Sequence, residues 1–197
     1  MTALLISNVV LWAVVLALIV VLLALTRQVG VLHERIAPAG ALMINRGPAV
    51  GEPVAPLEVT DLEGNSLQIG APSADGRSTL LVFVSPTCPV CKTLLPVICA
   101  SHQQERDWLR VVLASDGEPQ EHLRFVRQQG LAGVPYVVSA RLGLGYQVNR
   151  LPFAALVDGG GVLRARGLVN SREHLESLFE AQRLGMASLQ EYFASRA

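Results

Sequence analysis

The stretch from Thr79 to Cys99, TLLVFVSPTCPVCKTLLPVIC, constrains the chain more than any other. Leu80 to Val84 is a short apolar run rich in β-branched residues, the pattern of a buried strand. Ser85 and Pro86 end it, and from Thr87 the period becomes helical, with Cys91, Leu95, Ile98 and Cys99 on one stripe. Thr87 can cap that helix, and Pro89 then falls in its first turn, where a missing N–H costs nothing. Cys88 is thereby placed at a helix N-terminus, where unpaired N–H groups and the dipole favour a thiolate. Cys91 lies one turn on, close enough to bond to Cys88. A strand–turn–helix carrying such a dithiol is what thiol–disulfide exchange needs.

Zinc sites share the Cys-x-x-Cys spacing but need two further ligands. No second Cys or His pair stands at metal-ligand spacing: Cys99 is the only other cysteine, and His33, His102, His122 and His174 are scattered singly. They read as solvated or satisfied surface histidines, and no metal is expected. No dissociable cofactor is expected either, the redox-active group being the Cys88–Cys91 pair itself.

At 197 residues there is room for one ordinary soluble domain with extras, and the zero net charge argues against a nucleic-acid partner. Residues 3–25 are apolar apart from Ser7 and Asn8, long enough for a helix to cross the ~30 Å hydrocarbon core of a bilayer. A cleaved signal peptide fits less well: there is no basic start, the apolar run is too long, and no clear A-x-A site follows. The expected organisation is therefore a single-pass anchor over 1–26, a tether over 27–50 and a folded domain over 51–197. Membrane lipid around residues 3–25 is one expected partner. Orientation carries a conflict. Arg27 and Arg35 follow the span and none precedes it, which places the domain in the cytoplasm by the positive-inside rule. A lasting disulfide places it in an oxidising compartment, and the chemistry is preferred: inner membrane, domain in the periplasm.

Along the tether, Val29, Leu32 and Ile36 allow two amphipathic turns before Pro38. Leu57–Leu62 and Ser66–Ile69 alternate around Glu63-Gly64-Asn65, a β-hairpin. Arg110–Ser115 is a second buried strand, Glu118–Gln129 a helix stopped by Gly130, and Val134–Val138 a third strand. Phe153–Val157 turns through Asp158-Gly159-Gly160-Gly161 into Val162–Leu168. A last helix starts near Asn170 with Glu173 placed for a capping box, its stripe being Leu175, Leu178, Phe179, Met186, Leu189 and Phe193. The order argues for an α/β fold with a central mixed sheet.

This order resembles the thioredoxin fold of membrane-tethered, TlpA-like redoxins: a central mixed sheet flanked by helices, extended by an N-terminal hairpin and preceded by one transmembrane helix. Pro96, five residues after Cys91, matches the kink proline of the active-site helix, and Leu151-Pro152-Phe153 matches the position of the cis-proline. The anchor, the segment Arg27 to Arg35 and the site Ser85 to Cys91 are similar to those of the MauD family, accessory proteins for methylamine dehydrogenase maturation.

Cys88, nearer the helix N-terminus, is expected to attack, and Cys91 to resolve the mixed disulfide. Pro86, Thr87, Pro89 and Val90 form the surrounding loop. Pro152, if cis, sets the backbone of Leu151 beside the dithiol, where an extended client can pair as with an edge strand. Pro135, also ahead of an apolar run, competes for that role. Two departures from the thioredoxin pattern leave the direction of electron flow open: no His lies between the cysteines, and the preceding strand has no Asp or Glu. Cys99 reads as a small buried hydrophobe.

The resemblance implies a thiol–disulfide oxidoreductase that forms or isomerises disulfides in a secreted, cysteine-rich client, the small subunit of methylamine dehydrogenase, with a further redox partner left unidentified. A reductase of the cytochrome c maturation type and a non-enzymatic metallochaperone are the alternatives.

Overall fold

In the computed structural model, residues 6–8, 10–21 and 47–184 are described. Two units are present, 1–44 and 45–197. In the first, residues 6–8 and 10–21 are helical, and Ile6, Leu11, Trp12, Leu16, Leu18 and Val20 are exposed around the helix. Among the described residues no helix is long and apolar enough to cross a membrane. The rest of the expected anchor and the tether to residue 46 lie outside the described residues, as do Met186, Leu189 and Phe193 of the last helical stripe.

The second unit begins with a hairpin, β1 (Leu57–Thr60) and β2 (Ser66–Ile69), which forms a two-stranded sheet of its own. Its turn is closed by Asp61, whose carboxylate accepts from the backbone of Glu63 and Asn65 and from the Asn65 amide. β3 (Ser78–Phe83) follows, then α1 (Pro89–Gln104), β4 (Leu109–Ser115) and α2 (Pro119–Gln129). β5 (Tyr136–Val138), α3 (Ala140–Gly145), β6 (Phe153–Val157), β7 (Leu163–Leu168) and α4 (Arg172–Leu184) complete the unit. The main sheet has the order β5-β4-β3-β6-β7. β3, β4 and β5 are parallel, while β6 and β7 run antiparallel to their neighbours.

All six residues of β3 are buried, as a strand covered on both faces must be. Its alternation sends Leu80, Val82 and Val84 into a cluster with α1, α2 and α4. Leu81 and Phe83 enter a second cluster with Val59, Ile69, Leu142 and Tyr146 from the hairpin and the α3 region. Residues 51–54 also join the fold: Gly51 N–H donates to Leu163 C=O, Val54 N–H donates to Gly161 C=O, and Val54 is buried. Gly161 turns β6 into β7 with φ +83°, and a Cβ there would meet the Gly70 carbonyl oxygen at 2.5 Å.

Three local expectations are corrected. Cys88, not Thr87, caps α1: its backbone is extended and its sulfur takes the Cys91 N–H, while Thr87 Oγ1 pairs with Ser85 Oγ. At α4 the N–H of His174 is taken by Ser171 Oγ, which moves the cap one residue beyond Asn170. His122 is no surface residue but only 1 % exposed, because it faces the sheet from α2 beside Phe125.

Candidate active site

The site is assembled where β3 ends. The register pairs Phe83 with Ala114 on one side and with Phe153 on the other, so the loop after β3, the end of β4 and the start of β6 share one edge of the sheet. Ser85 organises the loop: its hydroxyl pairs with Thr87 Oγ1 at 3.0 Å and accepts from Thr87 N–H, and its carbonyl accepts from Cys88 N–H. The chain then enters α1 with Pro89 in the first turn, and Pro96 lies further inside. Pro96 has no N–H to give to Lys92 C=O, which locally weakens the helix.

Cys88 and Cys91 are bonded to each other, with their Cα atoms 5.3 Å apart. Cys88 is half-buried, and Cys91 is wholly buried in the cluster that holds Leu80, Val82, Leu94, Leu95 and Ile98. The Cys91 N–H points at Cys88 Sγ, 3.1 Å away. A donor aimed at that sulfur, together with the helix N-terminus, favours Cys88 as a thiolate when the pair is reduced. Thr87, Pro89 and Val90 around it are exposed, and Pro86 is half-buried.

The Leu151–Pro152 peptide bond is cis, the only cis bond among the described residues; Pro135 precedes its strand in the trans form. Pro152 is buried, and its carbonyl accepts from Val169 N–H at 3.0 Å. Leu151 is 38 % exposed, and its N–H and C=O have no backbone partner among the described residues. Beside Leu151 opens a groove of about 340 Å³ between Asp116, at the end of β4, and the segment Ser139–Arg150. Leu144, 76 % exposed, lies in its wall. The sequence reading missed this groove because α3 is short and carries two glycines, too little for a period to register.

Cys99 is free and half-buried at the edge of the cluster, and burial pushes its thiol up. His33 lies outside the described residues, and His102, His122 and His174 do not gather with the cysteines. Among the described residues no group of three or more His, Cys, Asp or Glu side chains is placed to hold a metal ion.

No family model matches the chain. It is 49 % identical over 190 residues to the methylamine utilization protein MauD of Paracoccus denitrificans, covering 96 % of this chain and 94 % of the relative. The MauD of Paracoccus versutus is 48 % identical over 196 residues, 100 % of this chain and 98 % of the relative. The MauD of Methylorubrum extorquens is 47 % identical over 190 residues, 96 % and 92 %. Among solved structures, StoA from Bacillus subtilis superposes with a TM-score of 0.55 at 21 % identity, over 66 % of this chain and 98 % of its own. The pneumococcal exposed lipoprotein thioredoxin from Streptococcus pneumoniae does so with 0.56 at 19 %, over 64 % and 99 %. These likenesses establish the thioredoxin-like fold.

Proposed function

The chain belongs to the MauD family, and from that membership we propose a membrane-anchored thiol–disulfide oxidoreductase that forms or isomerises disulfides in a periplasmic client. The client of this reading is the cysteine-rich small subunit of methylamine dehydrogenase. The observation that carries it is the bonded Cys88–Cys91 pair at the start of α1, on the sheet edge that also holds Leu151 and Pro152.

In the oxidising direction a client thiolate attacks Cys88 Sγ. A client–Cys88 bond forms, the Cys88–Cys91 bond breaks, and Cys91 leaves with the electron pair and takes up a proton. A second client thiolate then attacks the client sulfur, closing the client's disulfide and releasing Cys88 as a thiolate. The client loses two electrons and the pair gains them, and a separate redox partner restores the disulfide. The unpaired backbone groups of Leu151 hold an extended client segment beside Cys88, and the loop of Pro86, Thr87, Pro89 and Val90 bounds the contact. The anchor reading rests on the apolar run 3–25, whose described part carries its large side chains exposed.

A deletion strain tests the proposal. It should transcribe the methylamine dehydrogenase small subunit yet accumulate little of it, and should fail to grow on methylamine while growing on other carbon sources. Wrongly bridged isomers expose apolar surface and are degraded. Normal levels of correctly bridged subunit, with c-type cytochromes lost instead, would replace this reading by the reductase one.

A further inference from the structure

The segment that leads into β1 carries Pro48, Pro53 and Pro56, and proline has no N–H to give to a strand ladder, so this stretch runs as irregular chain. Val54 pins it to the second core cluster, while Ala55 and Pro56 stay exposed. Facing it is α3, only six residues long, with Gly143 and Gly145 and the single buried side chain Leu142. Two such thin elements do not close over the sheet. A pocket of about 410 Å³ stays open between them, within the ~300–1,000 Å³ of small-ligand sites. Its lining is largely apolar, and Val54, Leu57, Ile69, Leu142 and Tyr146 all belong to the second cluster or pack against it. Cys88 and Cys91 lie with the first cluster, so an occupant here leaves the dithiol uncovered.

Two cations stand at the mouth. Arg141 of α3 lines the pocket with its residue exposed. Arg166 of β7, also exposed, comes in beside the neighbouring turn of chain: a Cβ on Gly47 would meet Arg166 Nη1 and the Tyr146 carbonyl oxygen, each at 3.1 Å. Among the described residues neither arginine makes an ion pair. The carboxylates of the adjoining chain are engaged elsewhere: Glu52 accepts from Ala49 N–H, and Glu58 accepts from the Ser66 hydroxyl. An apolar hollow with guanidinium groups at its rim fits an amphiphile with an anionic head.

The position says which amphiphile. Pro48 lines this pocket, and the chain arrives at it from the apolar run through residues 26–46. At ~3.3–3.6 Å per residue that stretch reaches at most about 70 Å, so the pocket is never far from the bilayer that holds the run. We infer that the pocket takes an anionic phospholipid of that membrane, its phosphate paired with Arg141 and Arg166 and its apolar part in the hollow. This rests on the anchor reading above and adds to it a second hold on the membrane. The lipid-bound domain presents its hairpin side to the bilayer and keeps the dithiol free for a client.

The test uses the oxidised full chain carrying Cys99→Ala and Ala49→Cys, so that a nitrobenzoxadiazole maleimide labels residue 49 alone. The chain is inserted into nanodiscs of phosphatidylcholine, with or without about one third phosphatidylglycerol, all holding the same fraction of head-group nitroxide lipid. An arginine at an anionic surface favours docking by about fivefold, so quenching should be at least about twofold stronger with phosphatidylglycerol. Arg141→Gln with Arg166→Gln should return it to the phosphatidylcholine level, whereas lysine at both positions should keep it. A Cβ on Gly145 or on Gly143 has open space around it. Gly145→Phe fills the pocket without touching the charges and should also remove the difference, while Gly143→Phe, on the side of α3 that lines the groove by Leu151, should not. Equal quenching in the two discs, or quenching unmoved by the arginine pair or by Gly145→Phe, overturns the inference and leaves the anchor reading standing. Emission that follows the number of chains per disc, or added client peptide, and not the lipid would give the pocket to a second copy or to the client, and overturns it too. A chain that fails to enter the discs overturns the anchor reading and the inference with it.

Discussion

The backbone N–H of Cys91 donates to the sulfur of Cys88 across 3.1 Å, so the buried cysteine's own amide serves the exposed cysteine's reactivity. Both thiols lie on one helix, but only Cys88 receives the hydrogen bond and faces the first turn. Reduced protein treated with limiting iodoacetamide should therefore be alkylated at Cys88 first. Peptide mass spectrometry reads the order, and earlier labelling of Cys91 would reverse the roles. Cys88→Ser should abolish exchange, whereas Cys91→Ser should accumulate a mixed disulfide visible on a non-reducing gel.

Leu144 in the groove wall holds a large apolar side chain in solvent within reach of the proposed client path. Leu144→Glu should lower kcat/KM for a cysteine peptide of the client about ten- to a hundredfold, roughly what losing one buried aliphatic contact of 1.5–3 kcal/mol implies. Dithiothreitol needs Cys88 but not the groove, so the ratio of peptide rate to dithiothreitol rate should fall. An unchanged ratio would remove the groove from client binding.

Much of this site was legible because its determinants are local. Leu80 to Val84, the break at Ser85-Pro86 and the helical period from Cys91 are contiguous, and the Asp158-Gly159 turn announces β7. The cap of α1 was misplaced by one residue because Thr87 is the better capping side chain on propensity, and only the actual backbone shows its hydroxyl turned to Ser85. His122 was misjudged because burial is non-local: β5 had to bring Tyr136 against α2. The groove beside Leu151 likewise exists only once α3 has folded over the ends of β3 and β4.

The apolar run 3–25 should hold the chain in the membrane fraction against high salt and release it only to detergent. With the domain in the periplasm, an impermeant maleimide added to reduced spheroplasts should label Cys88. Labelling only after lysis would give the orientation to Arg27 and Arg35 instead.

Asp158 ties the β6–β7 turn. Its carboxylate accepts from the N–H groups of Gly160 and Val162 at 2.9 Å and from Arg164 at 2.6 Å. Burial pushes this carboxyl up, but the Val162 N–H, Arg164 and the Gly160 N–H outweigh it and hold it below the ordinary carboxylate range. A group depressed on folding adds stability above its unfolded value of ~3.9, and loses it as pH falls through the folded one. Asp158→Asn should cost about 1–3 kcal/mol at pH 7, and the gap in Tm from the parent should close below about pH 4. A gap that persists in acid would assign the loss to geometry, not charge.

The pair His122 and Tyr136 couples α2 to β5 beneath the loop that leads from β4 past Asp116. The Asp116 carbonyl can only accept, so His122 Nε2, 2.8 Å away, carries the proton. Nδ1 is then an acceptor and takes the Tyr136 hydroxyl hydrogen at 2.9 Å. Both groups are buried, so each loses its partner rather than exchanging it for water. His122→Phe should destabilise the domain by about 1–3 kcal/mol in urea unfolding, chiefly by stranding the Tyr136 hydroxyl. Tyr136→Phe should cost less, since the bond to Asp116 survives. If the hydrogen bond carries the effect, adding Tyr136→Phe to His122→Phe should recover part of the loss, with a coupling energy of about 1 kcal/mol. Strict additivity of the two changes would mean that the pair only packs, and that the loop at Asp116 is held by the chain around it.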